Sequence, residues 1–122
     1  MSRIVHFEIN ADEPERAAAF YRDLFGWKIN KWGSGTMDYW IVDTGDQGPG
    51  INGGFLKRSH ANCSTVNTIN VEDVDATLYK VKVAGGQVAS PKFAVAGIGW
   101  LAYATDTEGN VFGILAPDES VK

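Results

Sequence analysis

The feature that most constrains this chain is an internal echo. Ile9 and Asn10 recur as Ile69 and Asn70, Gly26 as Gly86, Trp40 as Trp100, and Gly53 as Gly113, each pair 60 positions apart. Repetition on this scale means that one supersecondary unit occurs twice. A unit of roughly 60 residues cannot cover both faces of a sheet by itself, so the two copies must pair.

Each half carries the same signals in the same order. Residues 4–9 alternate, with Val5, Phe7 and Ile9 on one face and Ile4, His6 and Glu8 on the other, as in a strand with one apolar face. A helix follows. Asp12 suits its N-cap, Pro14 its first turn, and Glu13 and Glu15 the positive end of its dipole. Ala17, Phe20, Tyr21 and Leu24 form a helical apolar stripe, and Gly26 stands where a helix ends. Strands are predicted over 27–31, 38–43 and 51–57, with a turn at 33–35 and a loop at 45–50. Residues 58–64 show no periodicity and read as a linker. The pattern then restarts with a strand over 66–71 and a helix capped by Asp73. Val74, Thr77, Leu78 and Val81 form that helix's stripe, and Gly85 and Gly86 stop it. Strands over 87–89, 100–105 and 111–115 complete the second copy, with a loop containing Pro91 between the first two. The order βαβββ thus occurs twice, as modules 3–57 and 65–117 of a single domain 1–122.

The last two strands are joined by Asp106-Thr-Glu-Gly-Asn110, whose Asp, Asn and Gly predict a tight hairpin turn. Its acidic residues lack the spacing of a calcium loop. Gly97-Ile-Gly99-Trp-Leu-Ala102 loosely matches a dinucleotide fingerprint, but a strand pattern follows where that motif requires a helix. A net charge of −4 argues against a nucleic-acid partner, and no apolar run is long enough to span a membrane. His6 and Glu8 fall where a signal peptide needs its apolar region, and a single cysteine, Cys63, fits a reducing compartment, so a cytoplasmic location is expected. Cys63 lies in a polar stretch beside His60 and reads as a linker thiol rather than a nucleophile.

The strand–turn–strand close, the Val-His-Phe-Glu-Ile strand and the Phe-Tyr-Arg-Asp-Leu-Phe-Gly-Trp run of the first helix resemble the vicinal-oxygen-chelate superfamily. So does Asn70-Val-Glu-Asp-Val-Asp75 at the start of the second helix. That superfamily groups glyoxalase I, bleomycin-resistance proteins and extradiol dioxygenases. Gly50-Ile-Asn-Gly-Gly-Phe55 and Gly97-Ile-Gly-Trp100 are similar to its branch of predicted enzymes related to lactoylglutathione lyase. The resemblance spans nearly the whole chain and implies an α+β fold: two tandem βαβββ modules whose curved mixed sheets enclose a cavity. It also implies a homodimer.

In metal-dependent members, ligands come from the first and last strands of each module. Here only His6 matches such a position. Val66, Gly53 and Gly113 stand at the other three, and glycine and valine cannot hold a divalent ion. The resemblance therefore implies a small-molecule-binding protein of the bleomycin-resistance kind, without cofactor. An enzyme (lyase, isomerase or dioxygenase) with an atypical divalent-metal site is the alternative, and an accessory domain with a vestigial cavity is a third. His6 and Glu8 are candidate acid–base groups, since a carboxylate facing a sheet interior requires a partner. Tyr39, Trp40, Trp100 and Tyr103 are candidate aromatic walls, and equally candidate core. Asn52 and Asn67 are candidate hydrogen-bonding groups for a ligand, or caps for strand edges. Gly53, with Gly54 and Gly113, would open the cavity floor to a flat or bulky molecule.

Overall fold

The computed structural model describes residues 2–32, 38–59 and 63–122, so the turn expected at 33–35 and His60 in the linker lie outside the described residues. Two compact units emerge, residues 6–66 and residues 1–5 with 67–122.

In the first unit the elements run β1 (Ile4–Ala11) from His6 on, α1 (Pro14–Phe25), β2 (Lys28–Lys31), β3 (Tyr39–Asp43) and β4 (Gly53–Lys57). The strand order is β2-β3-β4-β1, with β1 parallel to β4 and the other pairs antiparallel. A helical crossover between β1 and the strands that follow is what permits the parallel pair. Ala18, Ile29, Trp40, Val42 and Phe55 form the buried core between α1 and one face of the sheet, joined by Phe7, Ile9, Ala17, Tyr21 and Trp27. The alternation expected for β1 therefore holds: Phe7 and Ile9 face the helix, while His6, Glu8 and Asn10 face away from it.

Two details of α1 differ from the sequence expectation. Glu13, not Asp12, is the N-cap, and no side chain caps it. Asp12 instead pairs with Arg58, Oδ1 to Nε at 3.0 Å. The buried stripe contains Pro14 and Ala18, whereas Phe20 and Leu24 are more than half exposed. Ala17 and Ala18 pack into the core beneath the helix, while Phe20 and Leu24 lie on the part of its surface that the sheet leaves uncovered. Gly26 closes the helix as expected, at φ 71°, its N–H donating to Arg22 O.

The second unit contains β5 (Thr65–Asn70) from Asn67 on, α2 (Val74–Val83), β6 (Gln87–Val88), β7 (Phe93–Val95), β8 (Gly99–Thr105) and β9 (Val111–Pro117). Strand order is β5-β9-β8-β6, and β7 adds a further pairing on β8. β7 falls in the stretch that reads as a loop after Pro91; three residues are too short for alternation to register. Asp73 caps α2 as expected, accepting from Ala76 N–H at 3.0 Å. Val74, Ala102, Ile114 and Ala116 form this unit's core, with Val71, Leu78 and Phe112 against it. The closing turn is built as its residues imply. Asp106 Oδ1 accepts from the N–H groups of Glu108 and Asn110 at 2.8 and 2.9 Å. These bonds favour the ionised carboxylate, so the pKa of Asp106 is lowered.

Candidate functional site

The most distinctive polar grouping lies on the face of the 6–66 sheet turned away from α1. β1 brings His6 and Glu8 to that face, and β3 brings Tyr39. Across the register Phe7 pairs with Gly53 and Glu8 with Gly54, while Ile41 of β3 pairs with Gly54 from the other side. Gly54 therefore lies on the His6–Glu8 face, and the Tyr39 side chain passes over it. A Cβ at position 54 would stand 2.1 Å from Tyr39 Oη and 2.2 Å from Cζ. Because that volume is empty of side chain, the phenol reaches across β4 and bonds His6, Oη to Nε2 at 2.8 Å. In the Nδ1–H tautomer of the imidazole, Tyr39 donates and Nε2 accepts.

Burial lowers the pKa of His6, opposed by the negative charge of Glu8 two residues along the same face. Desolvation is the larger effect, so the imidazole is held neutral near pH 7. Glu8 is itself only 6% exposed. Asn10, the next residue on this face, bonds Ser64 O through its backbone N–H at 2.7 Å and through Nδ2 at 3.2 Å.

Trp32 joins the group without having been singled out in the sequence. Lys31 lies over the Trp40 ring on the helix side, its Nζ 5.3 Å from the centroid, so alternation turns Trp32 to the other face. Its ring meets that of Tyr39 at 6.0 Å between centroids and 68° between planes. Ile41, 40% exposed, and half-buried Leu56 supply apolar surface on the same face.

The other expected site residues are placed elsewhere. Trp40 is in the core, with its indole N–H donating to Glu15 at 2.5 Å. Gly53 is on the helix side, where a Cβ would stand 2.4 Å from the Phe7 carbonyl oxygen. Asn52 accepts from the Thr44 N–H at 3.0 Å and so ties down a loop. Trp100 pairs in register with core residue Ala116 and carries the Lys92 ammonium at 5.0 Å from its ring. Tyr103 lies on the face of the 67–122 sheet away from α2, its ring 6.2 Å from Phe93 and its Cε1 3.4 Å from where a Cβ on Gly113 would be. The register also shows why the 60-residue echo misleads in the later strands. Glu8 pairs with Gly54, and its counterpart Thr68 with Gly113, so Gly113 corresponds to Gly54 rather than to Gly53.

The chain is 32% identical over 117 residues to a glyoxylase-like domain-containing protein of Didymella fabae, covering 92% of this chain and 91% of that one. The family model "Bleomycin resistance protein-like N-terminal" matches residues 3–45. It belongs to the glyoxalase/bleomycin-resistance/dioxygenase superfamily. A solved member of this superfamily from Vibrio splendidus 12B01 superposes with a TM-score of 0.64 at 12% identity, covering 93% of this chain and 97% of that one. Methylmalonyl-CoA epimerase from Mycobacterium tuberculosis superposes at 0.66 and 11% identity, covering 94% of this chain and 87% of that one. At such identities these two likenesses establish the α+β fold of the superfamily and nothing finer.

Among the described residues no group of three or more His, Cys, Asp or Glu side chains is placed to hold a metal. Nε2 of His6 is engaged by Tyr39, and Glu8 alone beside it does not complete a divalent site. What these residues can do is exchange hydrogen bonds with an organic ligand: a neutral imidazole, a phenol and a carboxylate lie on one face, bordered by an indole.

Proposed function

We propose that this chain is a small-molecule-binding protein of the bleomycin-resistance kind, whose site is the His6–Tyr39 face of the 6–66 sheet and which holds its ligand without a metal. The observation carrying this reading is the Tyr39–His6 bond over Gly54. It places a phenol beside the imidazole that the superfamily resemblance assigns to metal binding. Aromatic and aliphatic side chains around a few convergent polar groups are the ordinary make-up of a ligand site. The resemblance adds a homodimer, and the lone cysteine a cytoplasmic location. Sedimentation at monomer mass would remove the former.

The test is a small-molecule screen by thermal shift on wild type and on His6→Ala, with bleomycin among the compounds. The expected result is one or more ligands that raise the wild-type melting temperature and lose that effect in His6→Ala. Equal shifts in both proteins would move the site elsewhere.

Glu8, buried beside a neutral imidazole, favours a second reading, in which the face belongs to a glyoxalase-like enzyme with His6 or Glu8 as general base. Alanine at both positions would then abolish turnover. Unchanged turnover in that variant would end this reading.

A further inference from the structure

Resting on the homodimer included in the reading above, we propose that its interface is the uncovered shoulder of α1, packed antiparallel against the same helix of a second copy of this chain. Phe20, Leu24 and Phe25, large apolar side chains on neighbouring turns, are each more than half exposed. Phe20 meets Tyr21 edge to face at 5.2 Å, and Tyr21 and Phe25 both lie against Trp27, so the patch is continuous. Contiguous exposed apolar surface of this kind marks an interaction site. Beside Phe20 the patch hollows into a cavity of about 420 Å³. Glu13, Arg16, Ala17 and Phe20 form its α1 wall, and half-buried Ile9 and Tyr21 also line it. The spacing i, i+3, i+4, i+7 is that of the hole that receives a knob when two helices pack side by side. Leu24, one turn beyond Phe20 on the same shoulder, is the knob. A two-fold axis through Phe20 makes the two helices antiparallel and brings residues equally distant from Phe20 to the same level. Leu24 of each copy then stands level with Arg16 of the other, over its hollow, and the contact is made twice.

Charge selects this pairing. Arg16 and Asp23 are seven residues apart and so lie on the same flank of the patch. The two-fold sets like flanks together, and Arg16 of one copy comes within one residue's rise, about 1.5 Å along the axis, of Asp23 of the other. Asp23 has no ion pair among the described residues. Arg16 pairs with Glu13 at 2.7 Å, but both side chains are largely in water, which leaves the guanidinium open to a second carboxylate.

The test is sedimentation velocity over a concentration series, with circular dichroism to follow folding. Wild type is expected to sediment as a dimer, and Leu24→Asp as a folded monomer, since Leu24 is exposed within one copy. Asp23→Arg should weaken the dimer about tenfold, because both symmetry-related pairs turn from attraction to repulsion. Arg16→Asp should do the same, and the protein carrying both reversals should recover the wild-type dissociation constant. Arg16 and Asp23 are exposed, so these variants read out the interface even if Leu24→Asp does not fold. A dimer indifferent to Leu24→Asp, or a double reversal no tighter than either single one, would overturn this interface and leave the homodimer standing. Wild type at monomer mass throughout would overturn both and give the patch to another occupant. Ligand binding that needs His6, read in the thermal-shift screen, stands or falls separately.

Discussion

Replacing Gly54 by alanine tests the arrangement on which the site depends. The added Cβ would lie 2.1 Å from Tyr39 Oη, 2.2 Å from Cζ and 2.5 Å from Cε1, well inside the 3.4 Å at which ordinary contact begins. The backbone of β4 is held between β1 and β3, so the phenol must move, by more than an ångström. From 2.8 Å, that displacement takes Oη out of hydrogen-bond range of His6. The ring end of Tyr39 can swing, so the cost is the lost bond and some packing, about 1–2 kcal/mol rather than an unfolded sheet. A domain of this size should lose about 3–8 °C in melting temperature. Gly53→Ala provides the contrast. Its Cβ would meet the Phe7 carbonyl oxygen at 2.4 Å and the Phe7 ring at 2.6 Å, so backbone as well as side chain must yield. It should cost more than Gly54→Ala while leaving Tyr39 on its own face. The assay is urea denaturation of both variants, with Gly54→Ala repeated in a Tyr39→Ala background. There the penalty should vanish, because the obstructing ring is gone. The same loss in both backgrounds, or a Gly54→Ala protein as stable as wild type, would refute the reasoning.

Further outcomes follow from the same contacts. The lowered pKa of His6 means that the unfolded chain takes up a proton at this residue before the folded one does. Stability should therefore fall as pH drops below about 6.5 and level off beneath the folded value, and His6→Asn should remove that part of the slope, read by denaturation between neutral and mildly acid pH. Asp106 and Asp118, also lowered, contribute only further down, as pH falls below their usual 3.8. Asp73→Ala should destabilise by about 1 kcal/mol through loss of the α2 cap, whereas Glu13→Ala should change little, because no side chain caps α1. Tyr39→Phe should weaken binding of any screened ligand that needs His6, with a fall in melting temperature no larger than that of Gly54→Ala, since it loses the same bond but keeps the packing.

Much of the fold was legible because it rests on local signals. Gly26, Asp73 and the Asp106–Asn110 turn act within a few residues of themselves, and the strand of His6 and Glu8 announces its two faces by alternation. The candidate site depends on register, which no local pattern carries. Tyr39 reaches His6 across an intervening strand, and only the pairing of Glu8 with Gly54 shows that Gly54, not Gly53, clears the way. The repeated tryptophans diverge for the same reason: Trp40 is buried against α1, whereas Trp100 is 37% exposed. Phe20 and Leu24 have the helical spacing of core residues, but only the packing of α1 on its sheet decides which shoulder of the stripe is covered. Trp32 follows the last residue of β2, and its strand parity shows only once Lys31 is seen over Trp40.

The most direct measurement of the central claim is the dissociation constant of a screened ligand, determined by calorimetry for wild type and Tyr39→Phe, with excess chelator and again with added Zn, Ni, Mn or Fe. The account predicts the same affinity with chelator as with metal, and weaker binding by Tyr39→Phe in either condition. Binding that disappears with chelator, or that is indifferent to the Tyr39 hydroxyl, would contradict it.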